Sequence, residues 1–279
     1  MIKNYTKYDL DNVTNFILPL LKEEKYCNPN FYIEQDILEF LNRAVENEER
    51  ETFLIYNSAI LGVFSFIILP IETYIEMTMA YSKDTLAYEE MFHYLQEKYK
   101  NYSIFLYFHP KHFYFYPFVK NKNAILYPEQ FQMKLYELTD EKHDKKIVAY
   151  KDKFSNGYRN IHSTDLYWTA EKVINEMKYK SRPFQVFLAV VNKQVVGYVD
   201  IQRMVKEENS YFINDILVLN EYQGQGIGKA LLKEAFKKIK PQMFLLSVDE
   251  DNKIAQRVYT TLGFKKVERS ESVLAEFKL

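Results

Sequence analysis

A strand hairpin with a glycine in its second arm is written twice in this chain. The first reads Phe53-Leu-Ile-Tyr56, a turn at Asn57-Ser58, then Ala59-Ile-Leu-Gly-Val-Phe-Ser-Phe66. The second reads Phe187-Leu-Ala-Val-Val191, a turn at Asn192-Lys193-Gln194, then Val195-Val-Gly-Tyr-Val-Asp-Ile201. Gly62 and Gly197 occupy matching points 135 residues apart. Short apolar runs rich in β-branched and aromatic residues, joined by Asn-containing turns, are hairpin signals. The surroundings repeat as well. A helical pattern precedes each hairpin (Ile33 to Asn47, and Thr164 to Tyr179, the latter capped by Ser163 or Thr164). A strand follows (Tyr74 to Tyr81, and Tyr211 to Leu219), then a helix (Leu86 to Lys100, and Gly226 to Lys240). Further strands and a short helix begin at Ser103 and at Met243. The expected fold class is therefore α/β in the mixed α+β sense: two tandem units, each a mostly antiparallel sheet flanked by helices, with chance alignment of strand-rich segments as the alternative.

The segment Thr139-Asp-Glu-Lys-His-Asp-Lys-Lys146 carries no large apolar side chain and reads as a linker or solvated turn. It divides the chain into residues 1–140 and 141–279. The halves differ in charge, with 13 basic and 20 acidic side chains in the first and 24 and 18 in the second. They cancel to a net −1 over 279 residues, which argues against a whole-chain nucleic-acid binder. A 47% apolar content supports a sizeable core. One cysteine, Cys27, cannot form an internal disulfide, and the N-terminal MIKNYTKYDLDN shows no apolar signal core. The apolar run from Ala59 to Leu69 falls short of the roughly 20 residues of a membrane-spanning helix. The expectation is a cytoplasmic protein with no membrane or nucleic-acid partner.

Of the seven glycines, only Gly62 precedes residue 157, so a phosphate-type site belongs in the second half. There, Ile216-Leu-Val-Leu219 runs through Asn-Glu-Tyr into Gln223-Gly-Gln-Gly-Ile-Gly228, and a helix opens directly after it. Apolar residues at Ile227, Leu231, Ala235 and Ile239 mark that helix's inner face. Strand, glycine loop and helix N-terminus form a pyrophosphate cradle: free N–H groups and the positive end of the helix dipole point at the anion. Lys229 and Lys233 add positive charge. A tight turn is the plain alternative. A Rossmann site would find Asp249 downstream, but the spacing is G-x-G-x-G and a hairpin precedes it. No Gly-Lys-Ser/Thr follows the gap a P-loop needs.

Gln223-Gly-Gln-Gly-Ile-Gly228 resembles the Q/R-x-x-G-x-G/A signature of the acetyl-CoA-dependent N-acetyltransferase (GNAT) superfamily. Asn252, Ala255, Tyr259 and Leu262-Gly-Phe264 resemble that family's second signature, N-x-x-A-x-x-x-Y-x-x-x-G-F, in the expected order. The likeness is close over residues 185–265 and loose elsewhere. It implies a tandem form with a degenerate first domain (residues 1–140) and a catalytic second domain (residues 141–279). Ser82-Lys-Asp-Thr-Leu-Ala-Tyr88, at the place of the glycine loop in the first half, has no glycine. A tandem arrangement is also found in aminoacyl-transferring relatives of peptidoglycan synthesis, which generally lack such a loop.

The resemblance implies roles residue by residue. The backbone of Ile216, Leu217 and Val218 pairs with the pantetheine arm, and an amide there polarises the acetyl carbonyl. Gln223, Gly224, Gln225, Gly226, Ile227, Gly228 and Lys229 hold the pyrophosphate. Asn252 lies near the pantetheine, and Tyr259 protonates the departing thiolate. Among 24 tyrosines, Tyr259 alone would read as a core aromatic; its place seven residues after Asn252 and four before Gly263 favours the functional role. The general base is not fixed by the pattern, because Phe212 and Ser247 stand where many relatives carry glutamate. Asp215 is the candidate, on the same strand face as Leu217, with a solvated aspartate and a water relay as the alternatives.

The function implied is transfer of an acetyl group from acetyl-CoA to a primary amine of an unidentified acceptor, by direct attack in a ternary complex. The alternative is a non-catalytic acyl-CoA-binding regulatory module, and a homodimer is compatible with either. The first domain would shape the acceptor site or pack on the second through opposite charge. No metal is expected: His109 and His112 flank Pro110 without a completing acid or cysteine. His162 reads as a neighbour of a helix cap. The aromatic run from Phe105 to Phe118 lies in the acidic half and reads as core or interface rather than base-stacking surface.

Overall fold

The computed structural model describes every residue except 24, 25, 27, 29, 30, 32, 139–141, 165, 166, 180–183 and 205–208. Cys27 and the first three residues of the expected linker therefore lie outside the described residues. The chain forms two units, each with its own core. Unit 1 comprises Met1–Gln130 and Glu268–Leu279, and unit 2 comprises Phe131–Val267.

Unit 1 contains β1 (Ile2–Asn4), α1 (Leu10–Leu21), α2 (Glu34–Ala44), β2 (Arg50–Asn57), β3 (Ala59–Leu69), β4 (Tyr74–Ser82), α3 (Thr85–Lys98), β5 (Ser103–Phe108), α4 (Phe115–Asn121) and β6 (Ile125–Leu126). Unit 2 contains β7 (Gln130–Leu135), β8 (Ile147–Ala149), α5 (Ser155–Ile161), α6 (Ala170–Glu176), β9 (Phe184–Val191), β10 (Gln194–Arg203), β11 (Ser210–Val218), α7 (Ile227–Ile239), β12 (Met243–Asp249), α8 (Lys253–Thr261) and β13 (Lys265–Lys266). The last strand, β14 (Val273–Lys278), returns to the first sheet.

Among the described residues each unit carries a seven-stranded sheet, ordered β1-β2-β3-β4-β5-β14-β6 and β13-β7-β12-β11-β10-β9-β8. β4 pairs with β5 and β11 with β12 in parallel, whereas β2–β3, β3–β4, β9–β10 and β10–β11 are antiparallel. Helices cover both faces. In unit 1, Phe53, Phe64 and Tyr88 form the core on the α3 face, while Leu54, Val63 and Tyr81 meet α1 and α2. In unit 2, Val199, Ile213 and Leu231 form one core and Tyr158, Val173 and Tyr198 the other. Both expected hairpins form, with Ser58 at φ 57° in one turn and Asn192 and Lys193 at φ 49° and 68° in the other.

The division does not fall at residues 140/141. β7 pairs with β13 inside unit 2, burying Phe131, Met133 and Leu135, whereas β14 pairs with β5 and β6 and buries Val273, Ala275 and Phe277 in unit 1. Both strands alternate apolar and polar residues, so either could complete either sheet. Composition cannot tell which edge a strand joins.

The helix expected over Thr164 to Tyr179 is also shorter. It is α6, capped by Thr169, whose hydroxyl accepts from the Lys172 amide at 3.4 Å. The separate helix α5 fills the preceding stretch. No described helix is long and apolar enough to cross a membrane.

Candidate active site

A one-residue bulge opens the second sheet. Asp200 pairs with Asp215 and Ile201 with Ile213, so Asn214 has no partner on β10 and the strand turns there. Parallel pairing with β12 runs from Ser210–Met243 to Ile213–Leu246, and β11 continues beyond it to Val218. From the bulge onward, β11 leaves a backbone edge that β12 does not cover. This is the segment expected to hold an acyl arm. One of its acceptors is taken by the chain itself: the Gln223 side-chain amide donates to the Val218 carbonyl at 2.9 Å and to Asn220 Oδ1 at 3.0 Å. Gln223 therefore ties the loop to the strand end.

The loop then turns at Gly224 (φ +73°) and Gly226 (φ +79°), a left-handed backbone that glycine adopts without strain. A Cβ built at either position would meet nothing within 4 Å, so both face open space. Gly226 is also the N-cap of α7, with no side-chain cap. The first helical hydrogen bond runs from Ala230 to Gly226 at 3.0 Å, so the preceding amides point out of the helix end. Gln225 bonds back to the Glu221 carbonyl at 3.3 Å. Ile227 is buried and anchors the turn, while Lys233 donates to the Lys142 carbonyl at 3.1 Å. The cradle is open, uncapped and positively poised, as a diphosphate requires.

Unit 1 closes the same place. Asp84 is the N-cap of α3, its carboxylate accepting from the Leu86 amide at 2.8 Å. The buried Ser82 hydroxyl donates to the Leu61 carbonyl at 2.6 Å and accepts from the Asp84 amide at 2.9 Å. The chain's own carboxylate thus sits where an anion would. Between β4 and β5, which pair only from Tyr74–Ser103 to Met77–Leu106, a cavity of about 10 Å³ remains among Met77, Ala80, Phe108 and Phe115. That holds about a single water.

In unit 2, Asn252 starts α8, its side-chain oxygen accepting from the Ala255 amide at 3.1 Å. Gln256 on that helix donates to the carbonyls of Asp249 and Glu250 at 2.8 and 2.9 Å, fixing α8 to the end of β12. Tyr259 follows, 7% exposed, its ring against Phe264 at 5.6 Å. Burial pushes its hydroxyl up to about 12, with the Asp215 and Asp249 carboxylates adding to the effect. It keeps its proton at neutral pH. Asp215 and Tyr259 thus lie within electrostatic reach of one another. Asp215 shares its face with Leu217, which packs on the Tyr198 cluster, as strand alternation anticipates.

Asp215 is not a solvated side chain. The Tyr198 hydroxyl donates to its Oδ2. Burial raises its pKa above the usual carboxylate range, against the lowering effects of that hydrogen bond and the charge of His162. Opposite it, Asp200 is 1% exposed and accepts at Oδ2 from the Tyr158 hydroxyl at 2.7 Å, with His162 Nε2 at 2.8 Å from the same oxygen. His162 closes α5 as its C-cap and, rather than neighbouring the cap of the next helix, is the buried partner of an acid. Burial alone would pull its imidazole down, but Asp200 and the Ser163 carbonyl leave it above its ordinary value. The sequence reading missed Asp200, Tyr198 and Tyr158. Their signal is Val195-Val-Gly-Tyr-Val-Asp-Ile201, where a tyrosine and an aspartate share one face of a strand whose other residues are apolar. His109 and His112 are buried in unit 1, and no group of three or more His, Cys, Asp or Glu side chains able to hold a metal occurs among the described residues.

In unit 2 a splayed parallel strand pair thus stands beside a glycine-lined helix start. The sequence pattern of the "Acetyltransferase (GNAT) family" matches residues 136–264, which makes that segment a GNAT-type domain. Over 74 residues it is 35% identical to the N-alpha-acetyltransferase RimI of Mycobacterium tuberculosis (strain ATCC 25618 / H37Rv), a stretch covering 26% of this chain and 47% of that relative. The chain thus spans about half the length of this curated relative. Among solved structures, a GCN5-related N-acetyltransferase from Sphaerobacter thermophilus superposes with TM-score 0.68 at 12% identity, over 100% of this chain and 95% of that one. A tandem GNAT protein from the clavulanic acid biosynthesis pathway superposes with TM-score 0.58 at 11% identity, over 100% and 98%. Those two likenesses establish the tandem fold.

Proposed function

We propose that the protein transfers the acetyl group of acetyl-CoA to a primary amine, in unit 2, by direct attack within a ternary complex. The observation that carries this reading is the open cradle at Gly224 and Gly226 beside an uncapped α7, set next to the uncovered edge of β11. The amides from Gly224 to Lys229 hold the diphosphate, and the backbone of Ile216 and Leu217 offers strand-like hydrogen bonds to the pantetheine arm. Val218 contributes its amide, since Gln223 engages its carbonyl. Asn252, which caps α8, is assigned to the pantetheine side. The cosubstrate supplies an activated acetyl group; the chain positions it and moves two protons. Asp215, a carboxylate whose proton affinity burial has raised, takes the proton of the incoming ammonium, leaving the amine free to attack. A carbon–nitrogen bond forms and the carbon–sulfur bond breaks. Tyr259, protonated at neutral pH, gives its proton to the departing thiolate and is reprotonated by the second proton that the nitrogen sheds as the amide forms. The acidic groups around this point, Asp215 and Asp249, favour a cationic amine as acceptor.

The test is transfer of labelled acetyl from acetyl-CoA to a panel of primary amines, including peptide N-termini, lysine side chains and polyamines. Acetylation of at least one amine supports the reading. Tight CoA binding with no transfer to any of them would instead make unit 2 an acyl-CoA-sensing module.

A further inference from the structure

Behind Asp215 lies an assembly to which proton transfer by Asp215 and Tyr259 assigns no task. Its proton inventory can be read from its partners. His162 Nδ1 is 2.8 Å from the Ser163 carbonyl, which only accepts, so Nδ1 carries a proton. Nε2 faces a carboxylate oxygen of Asp200 at 2.8 Å, so a proton lies in that bond too. The same Oδ2 receives the Tyr158 hydroxyl. Asp200 Oδ1 is buried with no hydrogen bond among the described residues. The pair is therefore saturated with protons along every hydrogen bond it makes, and it is not itself a base.

What it does is hold Tyr198. The His162 ring stacks on Tyr198 at 4.8 Å and 11°, and Tyr158 meets the same tyrosine edge-on at 5.3 Å. The Ser163 amide donates to the Tyr198 hydroxyl at 3.2 Å. With its oxygen accepting there, the hydroxyl's own proton goes to Asp215. Unit 1 serves as an internal control. Aligned on Gly62 and Gly197, and on the bulges at Thr78 and Asn214, its counterparts of Tyr198, Asp200 and Asp215 are Val63, Ser65 and Met79. Val63 and Met79 sit in an apolar cluster. The fold does not need the polar assembly, and it occurs in the unit that has the open cradle.

We propose that Tyr198, aligned by the His162–Asp200 pair, is a positioning residue that fixes the place and protonation state of Asp215. The catalytic consequence rests on the reading of Asp215 as proton acceptor; the hold on the carboxylate does not. The groups facing Asp215 are Tyr198 and Asp200 from β10, His162 and Tyr158 from α5 and its C-terminal end, and Tyr259 from α8.

The experiment is a carbon-13 NMR titration of aspartate carboxyls in the full chain, with Asp215 assigned by Asp215→Asn. Tyr198→Phe keeps the ring on His162 and removes the donor. Its Asp215 midpoint is expected to rise by about one pH unit, the size of a lost charge-assisted hydrogen bond. The acid limb of kcat/KM should move with it. His162→Gln leaves Asp200 a donor but removes the stacked ring, and should shift the midpoint in the same direction by less. CoA affinity and circular dichroism report folding in each variant. An unmoved midpoint in both folded variants overturns the proposal, whatever the activity. A shifted midpoint with a flat pH–rate profile supports the hold on Asp215 and removes Asp215 from the role of base.

Discussion

Asp200 and Asp215 are direct cross-strand partners on β10 and β11, two carboxylates on one face of a sheet. Like charges placed opposite one another in a sheet are destabilising unless something answers them. Here each has its own answer, Tyr158 and His162 for Asp200 and Tyr198 for Asp215. Burial raises both carboxyls, the Asp215 charge raises Asp200 further, and His162 moderates both. The arrangement leaves one carboxylate sealed and the other at the strand opening.

Asp215→Asn should therefore lower turnover by about 10²–10⁴-fold, the usual contribution of a positioned proton acceptor. CoA affinity should stay within a few-fold, because the cradle lies at the far end of the strand. Steady-state rates with a defined amine, beside a CoA titration, separate the two effects. Turnover that is unchanged at all pH values would leave deprotonation to solvent.

Tyr259→Phe removes only a hydroxyl that makes no hydrogen bond among the described residues, so the core against Phe264 should survive. Turnover should fall by about 10²-fold or more under conditions where chemistry limits the rate. Binding of CoA should be nearly unchanged. A normal single-turnover rate would assign Tyr259 to packing.

Much of the architecture is legible in the sequence, because it depends on patterns a chain displays locally. The hairpins around Gly62 and Gly197 and the helix after Gly226 follow from alternation and glycine placement. The exchange of β7 and β14 is not legible, since Phe131/Met133/Leu135 and Val273/Ala275/Phe277 present the same period to any open edge. The cradle was readable as strand, loop and helix. The His162–Asp200 pair was not, because it joins positions 38 residues apart across a helix that the periodicity misplaces. A buried aspartate in an otherwise apolar strand is the trace it leaves.

His112 should make unit 1 sensitive to mild acid. Its Nδ1 accepts from the Phe115 amide at 3.1 Å and its Nε2 is 3.2 Å from the Tyr88 hydroxyl. Burial pulls it down from 6.5 to about 4. Between those values the unfolded chain binds a proton that the folded chain does not. The neutral histidine's contribution is therefore complete above about pH 6.5 and lost as pH falls toward 4, for a total of about 3 kcal/mol. Denaturant unfolding at pH 7 and pH 5 should show this slope, and His112→Asn should flatten it while lowering the stability at pH 7.

The two units differ most in what their helix starts offer an anion, and that difference sets the expected stoichiometry. At α7 the glycines leave open space and no side chain caps the helix. At α3 the Asp84 carboxylate already occupies the amide end, and Ser82 locks the turn. A polyanionic cosubstrate would have to displace a like charge there and gains no free donors in return. One CoA should therefore bind per chain. Gly226→Asp places a carboxylate in the cradle, at a left-handed position that aspartate tolerates better than most residues. It should weaken CoA binding by more than 10²-fold, about 3 kcal/mol, while the circular dichroism spectrum is retained. Titration calorimetry of the intact chain should give a ratio near one, falling toward zero in Gly226→Asp. A ratio near two, or binding that survives in the folded variant, would place a working cradle in unit 1 despite Asp84.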